Sequence, residues 1–236
     1  MRDWSASADS DGEDATCGYF TGGSALLDLA CGFDIRRQVA LDFMHLVGGI
    51  VGRRLFKLLA GKRTATVSRG AAMDGKMSPA EKKRWADKNA EVKEQLAEWK
   101  LTKKDQDEVD RRWLSVTLPD GYGTNYAPFA DRTTFTTADW FHLITYAGRW
   151  IMDGILEGEQ LQVWLRLCRA LETLSQHSVK SDPRVHAEML ALIIDTVAFC
   201  EKALPPTEQT LQFHNLIHLM EDIIDKGPVH GFWLFR

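Results

Sequence analysis

His214 and His218 stand four residues apart in a stretch with helical periodicity, so their rings project from one face at the spacing that clamps a metal ion. Residue 215 is Asn rather than the Glu of a His-Glu-x-x-His helix, and spacing identifies no third ligand. Two structural polar positions explain the same pattern, so the metal is left unassigned. Asp42 and His45, three apart in an apolar run, could share a site or form an ordinary surface pair. A third cluster is basic. Arg53, Arg54, Lys57, Lys62 and Arg63 open a stretch, residues 53–112, with seventeen basic against ten acidic side chains. Such a stretch can meet phosphates, although its signs alternate closely enough for a solvated helix surface. Trp113, Trp140, Trp150 and Trp164 could stack on bases, but they fall at helical spacing among Leu and Ile, which favours core packing. The sequence has no Gly-rich phosphate loop and no Gly-x-Ser-x-Gly elbow, which removes kinase, nucleotide-switch and serine-hydrolase readings.

The elements that must position these residues read as helices. Asp34 can cap a helix from Ile35 to about Leu59, with Val39, Phe43, Met44, Val47, Ile50, Val51, Leu55, Leu58 and Leu59 at helical spacing. Gly48-Gly49 inside it marks either a bend or a place where another element packs closely. Ser78-Pro79-Ala80-Glu81 and Thr102-Lys103-Lys104-Asp105 are helix starts for two charged, peripheral helices, to about Lys100 and Trp113. After a turn-rich stretch from Leu118 to Phe135, Thr136 to Asp139 caps a helix to Leu156. Three more are expected over 158–175, 183–203 and 208–226, the last stopped by Gly227-Pro228. Val229 to Phe235 is short and aromatic enough for either strand or helix start.

The expected fold class is therefore mainly α, a helical bundle-like domain. Its parts are a disordered acidic N-terminus (1–20), a helical region (21–60), a basic connector with charged helices (61–117) and a C-terminal helical domain (118–236). The 236 residues are 44% apolar and 26% charged, with a net charge of −4, an ordinary globular balance. No apolar run reaches the roughly 20 residues that span a bilayer, and the first residues lack the apolar core of a signal peptide. An intracellular protein, nuclear or cytoplasmic and not secreted, is expected. Cys17, Cys31, Cys168 and Cys200 form no Cys-x-x-Cys pair, so reduced, mostly buried thiols are the default. The ending Phe232-Trp233-Leu234-Phe235-Arg236 is unusually apolar for a chain end, which suggests a cut protein.

Three runs together resemble a family. Thr21-Gly22-Gly23-Ser24, Phe33-Asp34 and Leu41-Asp42-Phe43-Met44-His45 are similar to the segment of CACTA (En/Spm-type) DNA transposases that contains an Asp-x-Met-His signature. Leu118-Pro119, Gly123 and Ala138-Asp139-Trp140 resemble the segment joining the transposase core to its helical region. His214, Asn215, His218, Gly227, Pro228, His230 and Trp233 resemble the family's Asn/His-rich helix and Gly-Pro-aromatic run. The resemblance implies an RNase H-like core in the intact family, with Mg²⁺ or Mn²⁺ held by three carboxylates, and transposon-end DNA as partner. It also implies that Asp42 and His45 belong to the intact catalytic site, with His218 and His230 in support. The family's first two catalytic aspartates precede the signature, and its last acid follows the aromatic run. This chain has no strand pattern before Asp42 and stops at Arg236. The expectation is a fragment or degenerate copy of a transposase, inactive and without a cofactor on its own, which self-associates or pairs with missing transposase segments. The alternative is a helical module that binds protein or nucleic acid without catalysis. A metal-dependent enzyme built on His214 and His218 ranks third.

Overall fold

The computed structural model describes residues 41–63, 78–117, 128–129, 135–176, 178 and 182–229, the side chain of Arg53 excepted. Leu41 to Arg236 form one compact unit, and its described residues share one apolar core. Among the described residues there is no strand, so the mainly α expectation holds, and no helix is long and apolar enough to cross a membrane. The expectations for residues 1–40, for 118–127 and for 230–236, including His230 and Trp233, fall outside the described residues.

Helix α1 covers residues 43–59, in three parts: Phe43–Val47, a π-helical Gly48–Phe56 and Lys57–Leu59. Its cap is Asp42, so the helix does not run on from Ile35 without a break, and the expected cap Asp34 lies outside the described residues. Asp42 is extended (φ −76°, ψ 101°), and its carboxylate accepts from the N–H groups of Met44 and His45, satisfying donors that a first helical turn leaves open. The glycines of α1 are places of close packing. A Cβ at Gly48 would lie 3.0 Å from the Thr137 side chain, one at Gly49 2.5 Å from Gln212 Cδ, and one at Gly52 2.5 Å from Trp140 Cε2. The missing side chains let the helices carrying those three residues press against α1.

Helix α2 (Pro79–Glu98) and helix α3 (Lys103–Leu114) start at the capping groups read from the sequence, Ser78 with Glu81 and Thr102 with Asp105. In α2 only Val92 and Leu96 are buried, with Trp85 and Asn89 half-buried in an otherwise exposed first half. Helix α4 covers residues 137–152: Thr137–His142, a π-helical Leu143–Ala147 and Gly148–Met152. It stops short of the expected Leu156 because Asp153 turns extended and Gly154 takes a φ of 67°. Arg112 of α3 closes that end, its guanidinium donating to the carbonyls of Trp150, Ile151 and Asp153 at 2.6–3.1 Å, where the helix dipole favours a cation.

Helices α5 (Gly158–Leu174), α6 (Pro183–Ala203) and α7 (Leu211–Lys226) complete the fold, the last preceded by a 3₁₀ turn, Pro206–Glu208. Thus α7 begins three residues later than the sequence pattern indicates, because Pro205 and Gln209 are extended on either side of that turn. Packing runs α1 to α4, α4 to α5, α5 to α6, α6 to α7 and α7 back to α1, a closed ring. At its centre Phe56 lies 4.5 Å from Trp140 and 5.7 Å from Trp164, ring centre to ring centre, contacts worth about 0.5–1.5 kcal/mol each beyond their area. The buried Trp164 indole donates to the Gly148 carbonyl at 2.8 Å. Trp113, Trp140 and Trp164 are core residues as expected, whereas Trp150 is 51% exposed.

Candidate phosphate-binding cleft

Two contacts set α1 against α7. The Leu41 N–H donates to Asp222 near the end of α7 at 2.7 Å, and Gly49 meets Gln212 at its start, so the helices run antiparallel. The C-terminal part of α1 therefore lies beside the N-terminus of α7. There, Arg54, Lys57, Arg63, Thr210, Leu211 and Gln212 line a cleft of about 390 Å³. Arg54 and Lys57 are three residues apart on α1, and the chain after α1 returns Arg63 to the same place. Thr210 caps α7 without a side-chain hydrogen bond, and the first turn of α7 holds no acid. The cleft thus combines three cations with the positive end of a sixteen-residue helix dipole.

Beneath it lies Glu208, whose side chain is 2% exposed. Arg63 Nε donates to its Oε1 at 2.7 Å, and Arg54 stands 4.0 Å from Oε2, which accepts no hydrogen bond. This buried carboxylate holds the two guanidinium groups at the cleft and neutralises part of their charge, leaving Lys57 and the helix end to attract an anion. Arg63 also lines a second cleft of about 340 Å³ with Leu58, Gly61, Lys93, Leu96 and Lys100. The bond from Leu101 N–H to the Leu59 carbonyl at 2.9 Å holds the end of α2 against α1 there. Arg63 is the residue that the two clefts share.

Of the five basic residues singled out in the sequence, Arg54, Lys57 and Arg63 converge in the cleft. Lys62 lies outside its lining on an exposed turn, and the side chain of Arg53 is outside the described residues. Lys93 and Lys100 escaped sequence reasoning because the α2 periodicity only marks them as solvent-facing. Asp42 and His45 come together, His45 Nδ1 2.5 Å from Asp42 Oδ2, with His45 82% exposed. The Asp42 carboxylate is already engaged by two backbone N–H groups and this imidazole. Asp222, which meets the residue before Asp42, is taken by Leu41 N–H and Lys226. These residues do not fit a Mg²⁺ or Mn²⁺ site, which needs open carboxylate oxygens. Among the described residues no three His, Cys, Asp or Glu side chains gather to hold a metal.

No protein-family model, curated protein or solved structure matches the chain.

On α7, His214 and His218 are brought together, Asn215 is half-buried, and Gly227 ends the helix with a φ of 89°, donating to the Ile223 carbonyl at 3.0 Å, ahead of Pro228. A further cleft of about 260 Å³, between the end of α6 and the start of α7, includes Cys200, Leu204 and Phe213. Burial pushes the Cys200 thiol up to about 12, so it supplies no thiolate there.

Proposed function

We propose that this chain is a helical DNA-binding module descended from a CACTA-type transposase, which grips phosphates through Arg54, Lys57 and Arg63 and catalyses no strand cleavage by itself. The observation that carries the reading is the convergence of three cations on the N-terminus of α7. Helix N-termini bind phosphate through their N–H groups and dipole, and flanking Arg and Lys supply the charge. The transposase descent rests on the order of the sequence motifs. In the intact parent a divalent metal would activate water and clamp the oxygens of the reacting phosphate. Here Asp42 serves as a helix cap, and no step is assigned to it.

The test is fluorescence anisotropy with a labelled 20-base-pair duplex. Arg54→Gln with Lys57→Gln should weaken binding by at least about tenfold, since each lost phosphate contact removes part of the electrostatic term. Unchanged affinity in that double variant, or Mg²⁺-dependent nicking abolished by Asp42→Ala, would overturn the reading. A protein-docking module is a second reading, favoured by Tyr146 and Trp150, four apart on α4 and 61% and 51% exposed. Protein capture lost in Trp150→Ala and insensitive to salt would select it.

A further inference from the structure

Just beyond the residues that line the basic cleft, the exposed side of α7 carries an arrangement that neither its packing nor DNA binding uses. His214 Nε2 and His218 Nε2 face each other at 3.1 Å, their rings nearly perpendicular at 77°. On the far edge of the second ring, His218 Nδ1 lies 3.0 Å from Glu221 Oε2. An ionised carboxylate only accepts hydrogen bonds, so this contact places the proton of neutral His218 on Nδ1 and leaves its Nε2 as the acceptor of a hydrogen bond from His214 Nε2–H. Carboxylates hold metal-ligating histidines in this way, fixing the ring and its tautomer.

The nitrogen spacing is itself informative. Two imidazole nitrogens about 2.05 Å from one Zn²⁺-like ion and about 97° apart at it would be about 3.1 Å from each other. The pair has the nitrogen separation of two adjacent ligands, and an ion would take the place of the proton that His214 Nε2 now shares with His218. We propose that His214 and His218 form a two-histidine site for a divalent transition-metal ion of the Zn²⁺ or Ni²⁺ class, with Glu221 as the positioning residue for His218. Imidazole selects these ions over Mg²⁺, which prefers oxygen ligands, so the site is distinct from the strand-transfer metal of the family. Among the described residues no third His, Cys, Asp or Glu completes the set.

Isothermal titration of the purified full-length chain with NiCl₂, in a non-chelating buffer with a non-thiol reductant, tests the site. One equivalent should bind to the parent protein. It should be lost in His214→Gln and in His218→Gln, and weaken about 10- to 100-fold in Glu221→Gln. His45→Gln, at an exposed histidine on α1, should change nothing. Substoichiometric Zn²⁺ should also move the Nε2 resonances of both His214 and His218 in long-range ¹H–¹⁵N spectra of the unmutated protein, a readout that does not depend on variant folding. The same stoichiometry and affinity in both histidine variants, or unmoved resonances, would overturn the proposal.

Discussion

Replacing Glu208 with Gln removes one charge and almost no volume from the floor of the basic cleft. Its side chain is 2% exposed and pairs with Arg63 at 2.7 Å, while the Arg63 side chain keeps 25% of its exposure. Breaking a buried ion pair by removing one partner costs about 3–5 kcal/mol, because the other charge is left buried. Arg63 retains some water and the Gln carbonyl can still accept from its Nε, so we expect about 2–3 kcal/mol. For a domain of this size each kcal/mol shifts Tm by about 2–4 °C, which gives a fall of about 4–12 °C. Lys103→Ala is the control. Lys103 and Asp107 lie as close, 2.8 Å, but are 76% and 59% exposed, and such pairs are worth no more than about 1 kcal/mol. Thermal melts followed by circular dichroism at one protein concentration read both variants. A Glu208→Gln protein melting within about 1 °C of the parent, or no lower than Lys103→Ala, would refute the buried pair, since an exposed pair behaves that way.

Asp42→Ala should lower stability by about 1 kcal/mol in urea melts through loss of the α1 cap and leave DNA affinity unchanged; a loss of affinity with no loss of stability would contradict the capping role. At Gly52, Ala gains up to about 1 kcal/mol of helix propensity but drives its Cβ into the Trp140 indole, an overpacking worth about 1–3 kcal/mol, so net destabilisation is expected. A more stable Gly52→Ala would show that the indole does not sit there. Burial also raises Cys168 and Cys200 to about 12 from an ordinary 9.0. The unfolded chain then loses these protons before the folded one, so their contribution is intact below pH 9 and falls as pH rises toward 12, by about 1.4 kcal/mol per thiol per pH unit. Urea midpoints at pH 8 to 10 should drop less in Cys168→Ala and Cys200→Ala than in the parent; equal slopes would contradict the burial.

Much of the helical frame is legible because its signals are local. Ser78, Pro79 and Glu81 announce α2, Thr136 and Asp139 announce α4, and each works through atoms within four residues. The start of α1 is harder to read, since Asp34 and Asp42 both precede apolar periodic stretches and the extended backbone that makes Asp42 a cap leaves no mark in the sequence. The short 3₁₀ turn before α7 has the same polar and apolar spacing as a first helical turn. The site is half legible. A basic run shows in composition, but its conversion into a cleft depends on Glu208, 145 residues from Arg63, and on Gly49 admitting Gln212 of α7. Trp150 has the periodic position of a core residue, yet no described helix covers its face of α4.

The most direct test of the basic cleft is the salt dependence of duplex binding, measured by anisotropy from 50 to 300 mM NaCl for the parent and for Lys57→Gln. Three phosphates neutralised by Arg54, Lys57 and Arg63 predict a slope of about −2.7 in log K against log salt, or slightly less where Glu208 shares the charge. Lys57→Gln should make that slope shallower by about 1. Binding that ignores salt, or an identical slope in Lys57→Gln, would contradict a phosphate-gripping cleft at the start of α7.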